Sequence, residues 1–558
     1  MLSLHNHSYY SLLQGSIMPD RLIAHAKDNG SQYAALCDTN NMYGLIQFAK
    51  KAQAENIKPI LGALLDDPNH PEQQAVFIAR NNTGYSQLCK LITARKLKDD
   101  FSLVNVFRQN INDLFVISSS LDLLEKIKNC QNWKENIFAE LIVTEKQKKK
   151  TRRLYEFAKA SGLQIVASHP AYFPKPEDYL LHKVVTAIRR NTTVYNLNDE
   201  DLVDEEYCLK SSDEIKKLWR ALPESLWNIE HIVQNCKVDL ELGRQKFPIF
   251  PLPEGETAFS YLWKVCFHGL EKKYKPITDR VVKRLHYELQ VIDELNYTDY
   301  FLVIWDIIRE ARKRGMLSIG RGSAANSLVS YCLDFTQVDP VRHNFYFERF
   351  LNRGRLSPPD VDLDFSWKER DQIIRYVYEK YGYSSVAMIS TIVTFRARSA
   401  FRETAKVFGI PEEEISKYSK FIPWTGAQNL VDIAKKFPET KSLKLDEEPW
   451  NNIIEIASQL AGFPRHLSIH PSGIVITQGT MTDYVALEYA KNKGLGLIVT
   501  QPDMYSIEDM GLIKIDLLSQ RSLGVLKDTL IKINEGSPVK TGNTVPKIFE
   551  INHQKSIT

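Results

Sequence analysis

The chain has no apolar run near the ~20 residues that a membrane-spanning helix requires, so no span is expected. Its first residues, "MLSLHNHSYYSLL", lack the basic flank and long apolar core of a secretory signal. Cysteine is scarce: seven residues in 558, odd in number and never spaced as CxxC. That usage argues against a disulfide framework or a zinc site and suits reduced thiols in the cytoplasm. Internal repeats and low-complexity tracts are missing as well. So is any strong excess of one charge: 72 Lys and Arg stand against 68 Asp and Glu, a net +4. A nucleic-acid footprint must therefore be local.

What is present is the composition of a soluble globular protein, 43% hydrophobic and 25% charged. The length exceeds what one hydrophobic core serves, so several domains are expected. Over the first ~245 residues short apolar runs alternate with helical stretches. "YAALCD" (33–38), "KPILGALL" (58–65), "LFVISS" (114–119) and "LQIVAS" (163–168) read as buried strands, with "PDRLIAHAKDNG" and "TRRLYEFAKASG" as helices between them. This implies an α/β domain with parallel strands. "KFPIFPLPEGETAF" (246–259) reads as a linker, and a helical region follows to ~313. Residues 411–460 are charged and helical, with breaks at Pro423 and Pro438, and the chain ends in the polar, turn-rich "NEGSPVKTGNTVPK".

The block from 315 to 410 is the informative one. In "PPDVDLDF" (358–365) Asp360, Asp362 and Asp364 alternate with Val361, Leu363 and Phe365. Alternation is the period of a strand, so the carboxylates share one face and the apolar set the other. Strands disfavour aspartate, and crowded carboxylates repel, so the face is either a solvated edge or a cage for a hard cation such as Mg²⁺. The following "SWKERDQIIRYVYEKYG" is helical, with Ile373, Ile374 and Val377 on its buried face. "GLIKIDLL" (511–518) alternates in the same way, with Ile513, Ile515 and Leu517 opposite Lys514 and Asp516. If the two strands pair, Asp516 joins the cage. Three carboxylates can hold two divalent ions ~4 Å apart, as in-line phosphoryl transfer requires. Upstream, "SIGRGSAANSLVSYCL" (318–333) sets Gly320, Arg321, Gly322 and Ser323 before an apolar helical run. Backbone N–H groups at such a turn attract phosphate, with Ser323 as cap or donor.

Together with "YFLVIWDIIREARKRG", "VDPVRHNFYFERFLN" and "RHLSIHPSGIVI", in this order and spacing, these segments resemble the α subunit of bacterial DNA polymerase III. The resemblance runs from residue 1 to about 530, and "TFRARSAFRETAKVFG" is closer to the family's error-prone branch. It implies an α/β multidomain chain: an N-terminal PHP domain with a (β/α)7-type barrel (1–245), then a nucleotidyltransferase-like mixed-sheet palm in two parts (246–393 and 471–521). A helical thumb (394–470) interrupts the palm, and residues 522–558 begin the fingers or form a tail. By the same resemblance Asp362, Asp364 and Asp516 hold two Mg²⁺ ions, Lys514 is the palm lysine, and Gly320, Arg321, Gly322 and Ser323 contact the incoming triphosphate. Asp360 is then structural. The implied activity is DNA-templated nucleotidyl transfer from dNTPs to a primer 3′-hydroxyl, in the cytoplasm. Primer-template DNA is the implied partner, and sliding clamp and other replisome subunits would bind through regions not in this chain. Ile319 and Asn326 replace the family's usual proline and glycine in "GPGRGSAAGS". The chain stops ~40 residues after Asp516, short of the fingers residues that grip the nucleotide. A truncated paralogue that binds DNA without extending it is therefore an alternative.

The N-terminal "LHNHS" supplies His5 and His7, and Asp38 follows "AALC", as in PHP metal sites. The rest of the set is broken: Thr39, Leu64, Pro170 and Tyr172 stand where ligands are expected, and His169 is out of register. Structural support without a bound PHP metal is expected over a phosphoesterase or exonuclease. Arg398, Arg402 and Lys406, at i, i+4 and i+8, form one helix stripe that suits either duplex phosphates or plain solvent. "KQKKKTRR" (146–153) reads as a solvated helix end, Tyr9 and Tyr10 as core, and His466 and His470 as packing or DNA contacts.

Overall fold

The computed structural model describes residues 2–128, 130, 135–354, 359, 361–436, 447–490 and 497–536. Asp360, Pro438 and the polar C-terminal stretch from residue 537 on lie outside the described residues. Two units divide the chain. The first holds Met1–Leu242, Ser390–Ile469 and Thr482–Met510; the second holds Gly243–Ile389, His470–Met481 and the chain from Gly511 on.

The first unit is built on β1 (Tyr33–Thr39), β2 (Lys58–Asp66), β3 (Gln74–Ala79), β4 (Leu114–Ser118), β5 (Ile137–Ile142) and β6 (Gln164–Ser168), paired in that order. Four of these answer the runs expected as strands, and the helices Pro19–Asp28 and Lys148–Ser161 answer the two quoted helical stretches. The sheet is mixed rather than parallel: β1–β2, β4–β5 and β5–β6 run parallel, while β2–β3 and β3–β4 run antiparallel. Residues 67–73 link β2 to β3, too short a stretch for a parallel crossover, which takes roughly a dozen residues. Residues 5–7 add one more short pairing. Cys37 N–H donates to the Asn6 carbonyl at 2.8 Å, and His7 N–H to the Ala171 carbonyl at 2.8 Å. The N-terminal segment is thus bonded to β1 on one side and to the residues after β6 on the other.

Also in the first unit, the helices Ala397–Val407, Glu412–Ser419 and Trp450–Gln459 share a core with Tyr179–Arg190. Phe401, Trp450, Ile453 and Ala457 pack there with Val184 and Val185. Each such large side chain contributes about 1.5–3 kcal/mol on burial. Within this unit the short strands β11 (Leu487–Tyr489) and β12 (Ile498–Asp503) pair antiparallel.

The second unit opens with three helices, Ala258–Lys273, Asp279–Glu294 and Thr298–Lys313. Its sheet is formed by β7 (Ser318–Arg321), β8 (Asp362–Ser366), β9 (Val386–Thr394), β10 (Pro464–Ile476) and β13 (Lys514–Gln520), in the order β9-β10-β13-β8-β7. Both β9 and β10 cross the division between units. Helix Arg370–Tyr381 follows β8 and buries Ile373, Ile374 and Val377, the face its spacing indicated. Helix Arg521–Gly536 follows β13. Among the described residues no helix is long and apolar enough to cross a membrane.

Candidate functional site: a carboxylate face on the second sheet

β8 and β13 are neighbours and run parallel, with Asp516 opposite Asp362 and Leu518 opposite Asp364. Residues opposite one another share a face, and so do alternate residues along each strand. Asp362, Asp364, Asp516 and Lys514 therefore project on one side. On the other, Leu363, Phe365, Ile515 and Leu517 are buried in the core. β7 runs antiparallel to β8 and sets Arg321 opposite Asp362, adding a cation to the same face.

Each carboxylate on this face has a cation or a neutral donor at hand. Arg321 Nε lies 3.4 Å from Asp362 Oδ2 and 3.7 Å from Asp364 Oδ1. Lys514 Nζ lies 3.0 Å from Asp516 Oδ2, while Ser472 Oγ donates to Asp516 Oδ1 at 2.7 Å. Gln520 Nε2 donates to Asp364 Oδ1 at 3.3 Å. Asp362 is the most open of the three, with 28% of its side chain exposed against 7% for Asp516. Among the described residues no three carboxylate, imidazole or thiol groups converge on a common metal point.

Sequence reasoning missed the residues that fix this face. Ser472 is one; it sits in "HPSG" within β10, next to Gly473, which pairs with Asp516 of β13. His470 Nδ1 accepts the Gly473 N–H at 2.8 Å, so this imidazole shapes that stretch of β10. Burial holds it below the ordinary histidine range, against the pull of Asp516. Arg370 is another: its Nε donates to the Leu517 carbonyl and its Nη2 to the Pro471 carbonyl, both at 2.6 Å. It thereby ties the residue after Asp516 to the residue before Ser472. No periodicity marks either residue, because both act through the backbone or a single hydroxyl.

Of the glycine-rich segment, Gly320 is in β7, and a Cβ there would fall 1.9 Å from the Phe335 carbonyl oxygen. Gly322 has φ +78°, a left-handed value that glycine adopts without strain. Ser323 stands in the short turn Gly322–Asn326 and does not cap the helix behind it. That role belongs to Ser327, whose side chain accepts from Ser330 N–H at the start of Leu328–Cys332. Fully buried Glu288 reinforces the cap, accepting from Ser327 Oγ at 2.8 Å and Val329 N–H at 3.1 Å.

In the first unit His5, His7 and Asp38 do come together, but with one another and with small hydroxyls. His5 Nε2 faces His7 Nε2 at 2.9 Å, and His5 Nδ1 lies 2.7 Å from Glu140 Oε1. His7 Nδ1 meets Ser11 Oγ at 3.0 Å. Asp38 accepts from Ser8 N–H, Ser8 Oγ and Ser11 Oγ, each at 2.7 Å. Burial raises the Asp38 carboxyl above its usual range even against these bonds, and burial with the neighbouring His5 holds His7 far below its own. Tyr172 stacks on His7 with ring centroids 4.0 Å apart. His169 does not compensate: its Nε2 bonds the Glu206 carbonyl at 2.8 Å. Glu140, only 2% exposed, escaped the sequence reading, although a lone acid inside the apolar "IFAELI" is the signal that singled out Asp516.

The basic stripe is engaged locally. Arg398 Nη2 donates to the Ile422 carbonyl at 2.8 Å, Arg402 pairs with Glu412 and bonds Ser419 Oγ at 3.1 Å, and Lys406 Nζ donates to Asn191 Oδ1 at 2.6 Å.

Comparison with known proteins now adds to this geometry. The family described as "Bacterial DNA polymerase III alpha NTPase domain" matches residues 260–519, and the PHP domain family matches residues 3–124. The chain carries both domains. It is similar to the DNA polymerase III subunit alpha of Bacillus subtilis, 32% identical over 556 residues, covering 96% of this chain and 49% of the relative. An error-prone DNA polymerase of Symbiobacterium thermophilum matches at 32% over 95% of this chain and 52% of its own length. A DNA polymerase III subunit alpha of Thermus aquaticus matches at 30%, over 98% and 53%. The chain thus spans about half the length of the curated relatives it matches. Replicative and error-prone names occur at the same identity, so identity does not separate the two branches.

Proposed function

We propose that this chain carries the palm of a DNA-templated DNA polymerase and transfers nucleotides from dNTPs to a primer 3′-hydroxyl. The observation that carries this reading is the register of β8 and β13, which sets Asp362 against Asp516 with Asp364 on the same face. The donor chemistry suits Mg²⁺, since all three groups are carboxylates on one face, the oxygen donors that hard cations take, although among the described residues they do not converge on one metal point in this arrangement and Arg321 and Lys514 lie against them. Asp362, Asp364 and Asp516 would hold the ions. When bound, Mg²⁺ supplies neutralisation of the charge that develops on the attacking and leaving oxygens.

The chain's own groups do the rest. Ser472 fixes the Asp516 carboxylate, and Arg370 fixes the backbone on both sides of that contact. Arg321 and Lys514 are placed to meet the triphosphate, and the turn Gly322–Asn326 after β7 offers backbone N–H groups to it. Primer-template DNA and dNTPs are the partners this reading requires.

For the first unit, we read the six-stranded sheet together with residues 5–7 as a seven-stranded barrel, supported by the bonds from Asn6 and His7 to its two edges. Its polar centre is read as a structural remnant rather than a phosphoesterase, because His5, His7 and Asp38 are already satisfied by one another, Glu140 and the serines. The helices of residues 397–459 are read as the thumb, and residues 243–389 with 470–521 as the palm. Extension of a labelled primer-template tests the proposal, with Asp362→Asn, Asp364→Asn and Asp516→Asn alongside; each variant should abolish extension and stay folded.

A further inference from the structure

The loop 420–428 presents a feature that the proposed chemistry does not use. Trp424 is 87% exposed, far beyond the other tryptophans with marked exposure, and Phe421 beside it is 45% exposed. Large aromatic surface left in water is a cost unless something covers it. The loop that carries it is pinned. Ala397 N–H donates to the Thr425 carbonyl at 3.0 Å, Arg398 Nη2 to the Ile422 carbonyl at 2.8 Å, and Asn429 Nδ2 to Thr425 Oγ1 at 2.7 Å. Ile422 and Ala427 anchor it in the core. The indole is therefore held out on a fixed support.

Its surroundings are basic. The Arg396 guanidinium lies over the ring, 5.5 Å from its centroid. Arg398 is exposed two residues after Arg396, and Lys417, in the last turn of the helix Glu412–Ser419, and Lys420, just after it, are exposed as well. The three acids of the adjoining helix, Glu412, Glu413 and Glu414, are in its first turn, with Glu412 paired to Arg402 and Glu414 about 9 Å along the axis from Lys420 at 1.5 Å per residue. An open aromatic face within a set of cations matches the chemistry of unpaired nucleic acid. The ring stacks on a base and the cations meet the phosphates on either side. An intact duplex offers no such base face, since its bases are stacked on each other.

We propose that Trp424 is a stacking platform for an unpaired base of a single DNA strand, with Arg396 and Lys420 holding the flanking phosphates. None of its residues belongs to the carboxylate face, so the claim stands or falls independently of nucleotide transfer.

The test uses the full chain, a fluorescein-labelled oligo(dT) strand, and a dumbbell duplex closed at both ends by non-nucleotide linkers, so that it has neither a free end nor an unpaired base, with binding followed by anisotropy. Trp424→Ala should weaken strand binding about five- to 150-fold, the range of one lost base stack, and change dumbbell binding less than twofold. Trp424→Phe should retain most of the strand affinity. Lys420→Ala should lower the slope of log K against log salt by about 0.7 for the strand. Asp362→Asn should leave strand binding as in the wild type, which separates this claim from the polymerase reading. Equal weakening of strand and dumbbell by Trp424→Ala would place the ring in a duplex interface and overturn the proposal. Unchanged binding of both, or no strand binding by the wild type, would overturn it as well. Melting curves for Trp424→Ala should match the wild type, because the side chain is exposed.

Discussion

Replacing Ser472 with alanine isolates the contact that orients Asp516. The hydroxyl donates at 2.7 Å to an oxygen of a carboxylate only 7% exposed, and Ser472 itself is 3% exposed. Water cannot readily take the place of the lost donor. A hydrogen bond to a charged group contributes about 1.5–3 kcal/mol, and an oxygen left unsatisfied in this setting loses at least that. Lys514 would remain on the other oxygen at 3.0 Å, so the carboxylate is held at one point instead of two. Unfolding in urea should show the loss as a lower midpoint with an unchanged slope. A double-mutant cycle then assigns it: in an Asp516→Ala background, Ser472→Ala should cost less than about 0.5 kcal/mol, giving a coupling of about 1–2.5 kcal/mol. If the two substitutions are additive, Ser472 does not position Asp516 and the geometry argued for the site is wrong.

Two further outcomes are expected. His182, 1% exposed, donates from Nδ1 to the Gln14 carbonyl and accepts the Val203 N–H at Nε2, and burial lowers its pKa to about 4. The unfolded chain protonates this group near 6.5 while the fold refuses the proton, so stability should fall as pH drops from about 6.5 to about 4. The total is about 3 kcal/mol at 1.36 kcal/mol per pKa unit, and His182→Gln should flatten that part of a denaturation-against-pH profile. Gly320→Ala should destabilise the chain by about 1–3 kcal/mol in urea unfolding, because its Cβ would press on the Phe335 carbonyl; Gly322→Ala, with open space around it, should strain only the backbone.

Much of the carboxylate face was legible in the sequence because period-2 alternation survives without any tertiary information. "DLDF" and "IKIDL" announce both strands and assign each residue to a face, and only their pairing needed the structure. Mixed pairing in the first sheet was not legible. "QQAVFIA" and "IFAELI" are short continuous apolar runs, which periodicity cannot separate from buried helix segments, so β3 and β5 were missed, and with β3 both antiparallel pairs. The basic stripe was legible as a stripe, yet spacing says nothing of partners; Glu412, Ser419 and Asn191 come from other elements. Ser472, Arg370 and Glu140 depend on such contacts too, and a residue type alone does not reveal them.

The most direct measurement is pyrophosphate release per added dNTP on a primer-template with the purified chain and Mg²⁺, beside Asp362→Asn and Asp516→Asn. Release that matches primer extension, follows the template base and is lost in both variants is the expected result. Template-directed extension that continues unchanged in both variants would contradict the assignment of the carboxylate face.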